Sequence, residues 1–307
     1  MSTPATSVLA TDYAGPPPVL VAATSELGRQ RACAAIEAAG LRVTAVPVDE
    51  AIDRVAIQPS ASAIWLEIDR DGGAALDRLF DRVAAEAASG RFPAIVSVTA
   101  DLIDVASARL ADQSVELLAD ASMAERIACL ALVRTMRCEE QRLRDIASEP
   151  NAARLRQLSD EVGRIAATLA RLSAGPEQAA PQRNRLDHDP ERNLVVSLDQ
   201  LRPIIRARRL RSRYFDDGLF ADPAWDMLLD LFQAEIAQHR VPVSSLCIAA
   251  AVPPTTALRW IRSMTESGLL QRKPDPNDGR RVFVELSPSA SRAMHSYFAE
   301  VGATSVI

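Results

Sequence analysis

A short segment near the C-terminus carries side chains suited to reading DNA bases. In TTALRWIRSM, helical spacing turns Leu258, Ile261 and Met264 inward. The outward positions are then Thr255, Thr256, Arg259 and Arg262. Because arginine pairs with two acceptors of guanine, worth roughly 1 to 3 kcal/mol of discrimination, we expect Arg259 to read a base of double-stranded DNA in the major groove. The alternatives are a salt bridge between Arg259 and Glu266, or a contact with phosphate only.

The next segment supplies further basic side chains. Leu269 to Pro274, the turn PDPNDGR and Arg281 to Leu286 predict a two-stranded wing, because apolar and polar residues alternate in its second strand. We expect Arg280 at the wing tip to enter the minor groove, oriented by Asp278 or Asp275. Lys273 and Arg281 are predicted to contact phosphates.

The elements that must position these residues are helical. Ser244 or Ser245 is predicted to cap the short helix SLCIAAAV, and Pro253 and Pro254 to start the next helix, which Gly268 ends. Together they predict a helix-turn-helix. Upstream, Asp222 and Pro223 begin another helix. A helix over Leu198 to Arg213 carries one stripe of arginines, by default a solvated face: Arg202, Arg206, Arg209 and Arg213.

The stretch TTALRWIRSMTESGLLQRKPDPNDGRRVFVELSP resembles the MarR family of winged-helix DNA-binding regulators, with the similarity running from about Val195 to Val301. The resemblance implies sequence-specific DNA binding. The sequence departs from that family in lacking the long terminal helices that usually build its dimer and ligand cleft. Small phenolic ligands are therefore in doubt, and dimerisation is expected elsewhere.

The N-terminal half alternates short apolar strands with helices. Strands are predicted at PVLVAA, RVTAVPV, AIWLEI, PAIVSVT and Val115 to Leu118. This alternation predicts an α/β domain with a five-stranded parallel sheet of the flavodoxin-like, CheY-like type.

The strand ends in AIWLEIDRDGG and PAIVSVTA resemble those of response-regulator receiver domains over residues 17 to 123. The resemblance places Glu67 at the phosphoryl-acceptor position and Thr99 at the conserved hydroxyl position. Ala22, Ala23 and Thr24 replace the acidic pair that would hold magnesium, and SVELLADAS lacks the lysine after strand five. A degenerate, non-phosphorylatable receiver-like domain is expected. Glu67 either imitates a permanently charged state or is an exposed acid at a strand end.

A heptad pattern between the halves predicts dimerisation. Its apolar residues recur at spacings of three and four: Leu155, Leu158, Val162, Ile165, Leu169 and Leu172. The alternative is a helix packed on its own domain. The predicted organisation is a leader (1–16), the receiver-like domain (17–123), a helical and coiled-coil segment (124–173), a linker (174–193) and the winged-helix domain (194–307).

The composition and the charge distribution limit which classes of function the sequence can have. Residues 1–193 have a net charge of −7 and residues 194–307 of +2, so a nucleic-acid surface is expected in the C-terminal part. The four cysteines form no C-x-x-C pair, and no nucleotide-binding or catalytic motif occurs. We expect no metal, cofactor, enzymatic activity, signal peptide or membrane span, and a cytoplasmic location.

These observations predict a homodimeric, sequence-specific transcription regulator. A protein partner is expected on the receiver-like domain. The first alternative is an adaptor whose winged helix binds a protein instead of DNA, and the second is an enzyme with a divergent nucleotide site in the N-terminal sheet.

Overall fold

The structure, a computed structural model, describes residues 17–110, 114–146, 197–215 and 220–301. The N-terminal part alternates strands and helices. Its elements are β1 (Val19–Ala23), α1 (Glu26–Ala38), β2 (Val43–Val46), α2 (Ala51–Ile57), β3 (Ala63–Ile68), α3 (Ala74–Ala88), β4 (Ala94–Val98), a 3-10 turn (Ala100–Leu102), α4 (Ile103–Arg109) and β5 (Val115–Ala119), followed by α5 (Met123–Ile146).

The five strands form one parallel sheet in the order β2-β1-β3-β4-β5. This confirms the predicted parallel sheet, and the order is that of flavodoxin-like folds. Every residue of β3 and β4 is buried, as expected for central strands covered on both faces. Trp65 and Phe80 are among the largest fully buried side chains. The short helix α2 was not predicted, because seven residues with two buried positions give almost no periodic signal.

Helix α5 begins within the same compact unit as the sheet. Arg126, Cys129 and Leu130 are buried, so its first turns pack with the sheet rather than forming a separate segment from residue 124. Residues 132–196 are assigned to a second compact unit. The predicted seam from Leu155 to Leu172 lies outside the described residues, as do the leader and the linker.

The C-terminal part contains the predicted helix-turn-helix and wing. Its elements are α6 (Leu198–Leu210), a 3-10 turn (Arg211–Arg213), α7 (Pro223–Ile236), β6 (Val241–Pro242), α8 (Val243–Ala249), α9 (Pro254–Glu266), β7 (Leu270–Pro274), β8 (Val282–Leu286) and α10 (Pro288–Val301). The sheet order is β6-β8-β7, so the predicted two-stranded wing gains a third short strand. The described parts of the parallel-sheet half and of the winged helix belong to one compact unit.

Local signals explain most of these boundaries. The Asp222 side chain accepts a hydrogen bond from the backbone N–H of Trp225, and Pro223 occupies the first turn of α7. The predicted serine cap of α8 is wrong: Pro242 is the N-cap residue and provides no side-chain hydrogen bond. Ser244 lies inside the first turn, and an aspartate from the N-terminal half accepts its N–H. Of the helices the structure describes, none is long and apolar enough to cross a membrane.

The glycine after α9 allows a stability prediction. Gly268 has a φ of +74°, and a Cβ there would meet no atom within 4 Å, so Gly268→Ala changes only the backbone energy. We expect the free energy of unfolding to fall by about 1 to 2 kcal/mol, the cost of a left-handed conformation for a residue with a Cβ. Gly279→Ala is the matched control, because Gly279 has equal space without a positive φ. Urea denaturation measures both, and equal losses would contradict the prediction.

Candidate nucleic-acid interface

Helix α9 is held by an apolar inner face. Ile261 is fully buried, and Leu258 and Met264 are nearly so, as the sequence predicted; Ala257 is buried beside them. The N–H of Leu269 donates to the carbonyl of Met264, which closes the helix end after Gly268. Because this apolar face is fixed in the core, it determines which of the remaining α9 side chains point outward.

Only part of the predicted DNA-reading set is open to solvent. Arg259 is exposed and Thr256 is partly exposed. Among the residues that the structure describes, Arg259 has no ion pair, so the alternative salt bridge with Glu266 is not formed. Arg259 is therefore available for an external partner.

Two wing residues are also exposed but have acidic neighbours. The Lys273 ammonium contacts the carboxylate of Glu285 on the facing strand. Arg281 Nε lies 3.4 Å from Asp278 Oδ2. Since the side chains of both pairs are largely exposed, these ion pairs are weak. Lys273 and Arg281 can therefore exchange their carboxylate partners for phosphate groups.

Thr255 does not face solvent, in contrast to the prediction. It is only 2% exposed, and its hydroxyl both accepts from the backbone N–H of Ala119 at 3.0 Å and donates to the Ala119 carbonyl at 3.1 Å. Strand β5 is an edge strand of the sheet, and edge strands leave outward N–H and C=O groups without a strand partner. Thr255 satisfies two of these groups.

Arg262 is turned to the same strand. Its guanidinium donates to Glu116 Oε1 at 2.9 Å and also to the carbonyl of Val115. Nearby, Arg272 of β7 donates to the Ser107 carbonyl at 3.1 Å. Burial lowers the pKa of Arg272, and the positive charge of Arg262 adds to this effect. Four elements of the winged helix thus contact the sheet half: α8, α9 and the wing strands β7 and β8.

The wing-tip arginine is paired with acids that lie far from it in the sequence. Arg280 donates to both oxygens of Asp71, at 2.6 and 3.0 Å, and to Asp77 Oδ1 at 3.1 Å. The predicted orientation by the side chains of Asp278 or Asp275 is wrong; Asp278 instead accepts from the backbone N–H of Arg280. The hydrogen bond from Arg280 lowers the pKa of Asp71, and that bond raises the pKa of Arg280 in turn.

A further contact involves Ser244, predicted only as a helix cap. Its N–H and hydroxyl donate to the two oxygens of Asp104, at 2.9 and 2.6 Å. Asp104 is more than a hundred residues from Ser244 in the sequence, as Asp71 and Asp77 are from Arg280. Sequence spacing holds no signal for such contacts; the opposite net charges of the two halves, −7 and +2, are the feature of the sequence that could have suggested them.

The arginine stripe of α6 is exposed as predicted. Arg202, Arg206 and Arg209 line an open groove of about 450 Å³ together with Arg213. Arg208, outside the stripe, forms a hydrogen bond of 2.7 Å with Asp226 of α7 and so fixes α6 against α7. The stripe remains a candidate contact for phosphates.

The receiver-like positions form a buried structural network. Glu67 is 2% exposed, so its interpretation as an exposed acid is wrong. Its carboxylate accepts from the Trp65 indole at 3.0 Å and from Arg126 of α5. The neighbouring Asp69 accepts from Thr24 at 2.7 Å and from Ser25. Both donors to Glu67 use Oε2, while Oε1 lies 3.5 Å from Arg31 Nη2, and both oxygens of Asp69 accept hydrogen bonds. The carboxylates at this strand end are thus engaged within the protein.

Electrostatics at this strand end agree with a structural role. Burial raises the pKa of Asp69, but the hydrogen bonds from Ser25 and Thr24 outweigh it, so the net shift is downward. Thr99 follows β4, and no hydrogen-bond partner of its buried hydroxyl oxygen lies in the part of the chain that the structure describes. Those residues also contain no cluster of acidic, histidine and cysteine side chains able to hold a metal ion.

The free cysteines do not suggest reactive thiols. Cys129 and Cys247 are buried, and burial raises the pKa of each thiol to about 12. Cys33 is partly exposed, with a pKa also raised mainly by burial. A thiol with a raised pKa is a poor nucleophile at neutral pH.

Comparison with known proteins supports the C-terminal fold. Residues 234–290 match a family described as a winged helix DNA-binding domain. This range runs from the end of α7 to the start of α10 and contains the helix-turn-helix and the wing. A search of curated proteins found no match.

Solved structures of transcription regulators show partial likeness. The transcriptional regulator PA4135 is 18% identical over 32% of this chain and 65% of its own, with a TM-score of 0.22. A probable transcriptional regulator from Pseudomonas aeruginosa is 24% identical over 34% of this chain and 78% of its own, with a TM-score of 0.21. A mutant MarR from E. coli is 20% identical over 36% and 79%, with a TM-score of 0.24. The chain thus spans just under two thirds of the first of these proteins, and scores at this level carry no functional conclusion.

The buried pair of Glu67 and Arg126 yields a second stability prediction. Glu67→Ala leaves the Arg126 guanidinium buried without its carboxylate, which is expected to cost about 3 to 5 kcal/mol of unfolding free energy. Glu67→Met combined with Arg126→Met removes both charges and should cost less than the single change. Asp81→Ala is the control, because it breaks an exposed pair with Arg109 and should cost less than about 1 kcal/mol. If Glu67→Ala unfolds in urea like Asp81→Ala, the pair has no structural role.

Proposed function

We propose that this chain is a sequence-specific DNA-binding transcription regulator that acts as a homodimer in the cytoplasm. The observation that carries the proposal is the match of residues 234–290 to a winged helix DNA-binding domain, on a segment folded as a helix-turn-helix with a wing. No enzymatic activity, metal or cofactor is part of the proposal.

The proposed contacts divide by their chemistry. Arg259, with Thr256 beside it, reads base edges in the major groove, since it is exposed on α9 and lacks an ion pair within the described residues. Lys273 and Arg281 contact phosphates, and Arg280 enters the minor groove once it leaves its aspartates. Thr255 and Arg262 join the major-groove contacts only when α9 is separated from β5.

The N-terminal half is proposed as a receiver-like regulatory domain that is not phosphorylated and that also offers a surface to a protein partner. Support comes from its strand order and from the hydrogen bonds accepted by Glu67 Oε2 and by both oxygens of Asp69. Residues 124–173 are proposed to join two subunits through the heptad positions.

A second candidate function has a specific observation in its favour. The face of α9 predicted to read DNA already contacts protein, through the backbone of Ala119 and Val115. A winged helix that binds a protein partner through this face would be an adaptor rather than a DNA reader.

DNA binding separates these two functions. If each dimer neutralises roughly 6 to 10 phosphates, affinity for DNA should fall by about 10³ to 10⁵ between 50 and 200 mM salt. Arg259→Ala should relax preference at one base position of each half-site by about 1 to 3 kcal/mol and leave the salt slope unchanged. Arg281→Ala should weaken all sequences alike and flatten the slope by about one. Fluorescence anisotropy on a selected and a scrambled duplex measures both effects.

Arg292→Ala is the matched control, because it removes an exposed arginine of α10 outside the proposed contacts. It should change neither preference nor slope. Equal and weak binding of both duplexes at low salt, insensitive to Arg259 and Arg281, would favour the protein-binding adaptor.

The heptad residues are tested separately through the oligomeric state. Val162→Asp with Ile165→Asp should convert the dimer to monomer, because like charges then meet in an apolar seam. Ala167→Asp adds one charge at an outward heptad position and should leave the dimer intact. A dimer that survives the double substitution in sedimentation equilibrium would show that the subunits associate elsewhere.

A further inference from the structure

Several of the side chains that the winged helix would use on DNA are bound to its own N-terminal half. Thr255 and Arg262 of α9 contact β5, and Arg280 of the wing contacts Asp71 and Asp77. We call the set of Thr255, Arg262, Arg272 and Arg280 the closed face. Each member is hydrogen-bonded to a residue of the N-terminal half.

The partners of the closed face have the acceptor chemistry of a nucleic-acid backbone. Asp71 and Glu116 present carboxylates to arginines, and the contact of Arg280 with Asp71 uses two oxygens at once. Arginine binds carboxylate and phosphate with the same forked geometry. Residues 1–193 carry a net charge of −7 and residues 194–307 of +2. The N-terminal half is therefore negatively charged, as DNA is, and attracts the positively charged C-terminal half.

The fit between β5 and α9 leaves no room for a duplex. Between them lies a cavity of about 20 Å³, lined by residues that include Leu117, Leu258 and Arg262, and Thr255 is 2% exposed. A recognition helix must enter a major groove about 12 Å wide with its reading face against the bases. Strand β5 occupies the space that the bases would need.

We propose that the N-terminal half is an intramolecular inhibitor of DNA binding, which competes with DNA for the closed face. The proposal rests on the proposed function, since it concerns the regulation of the same site. The apparent dissociation constant for DNA equals the intrinsic one divided by the fraction of open molecules. Weakening the contact between the halves therefore strengthens DNA binding without any change in the DNA-contacting residues.

The test uses the full chain with Asp71→Asn and Glu116→Gln. Both side chains are partly exposed, and replacing them leaves the sequence of the winged helix unaltered. The matched control is Asp49→Asn with Glu37→Gln, which removes the same two charges at exposed positions of the same half. Binding is measured by anisotropy with random-sequence DNA duplexes of about 30 base pairs at about 50 mM salt, where phosphate contacts dominate.

A second readout needs no DNA. The N–H of Ala119 is bonded to Thr255, so amide hydrogen exchange of residues 115–119 reports whether the halves are in contact. Exchange there should be faster in the Asp71 and Glu116 variant than in the control. Adding the duplexes to the wild-type protein should speed exchange in β5 while it slows exchange in α9.

We expect the Asp71 and Glu116 variant to bind the duplexes about tenfold more tightly than the control variant. If exchange at residues 115–119 speeds up in the variant while its DNA affinity equals the control's, the inhibition is overturned and the proposed function stands. If exchange does not change, Asp71 and Glu116 do not hold the halves together, and the proposal is overturned on that ground. If no form of the protein binds DNA, including one whose exchange shows that it is open, the proposed function fails and the inhibition fails with it.

Discussion

The outward edge of β5 is the constraint that shapes the described unit. A parallel sheet ends at an edge strand whose outward N–H and C=O groups need partners if protein covers them. Thr255 meets both groups of Ala119, and Arg262 meets the carbonyl of Val115. Side chains of α9 thereby form hydrogen bonds with backbone groups that a sixth strand would otherwise pair with. Burial of this edge stays favourable because its backbone groups keep hydrogen bonds, since a buried group without one costs about 1 to 3 kcal/mol.

The contact combines this specific edge with reversible charge pairs. The pairs of Arg280 with Asp71 and of Arg262 with Glu116 are partly exposed, so water and salt reduce their strength. The bonds of Thr255 to Ala119 are buried and define how the two halves meet. A contact of this composition holds one geometry through its buried hydrogen bonds, while its charge pairs weaken as salt rises, which is what the proposed competition with DNA requires.

The sequence was sufficient for features that depend on near neighbours. Alternating strands and helices predicted the parallel sheet, and the cap at Asp222, the stop at Gly268 and the alternation in β8 predicted the winged helix. It failed where a partner lies far along the chain. Ser244 looked like a cap because serine favours that position, yet Asp104 supplies the acceptor from 140 residues away. Glu67 looked exposed because charged residues usually are, yet Arg126 and Trp65 compensate its burial.

The short loop after β3 links the hydrogen-bonded network at the end of that strand to the wing. Asp69 points to Thr24 and Ser25, while Asp71, two residues later, holds both Arg280 and the N–H of Gly73 at 2.8 Å. Gly73, two residues after Asp71, adopts a φ of +59° at the start of α3, so the backbone turns sharply just after this aspartate. One carboxylate is thus bonded to the residues that follow β1 and the other to the wing, although only Arg70 separates the two acids. Because the backbone between them is this short, the position of Asp71, and with it the salt bridge to Arg280, depends on how the end of β3 is held.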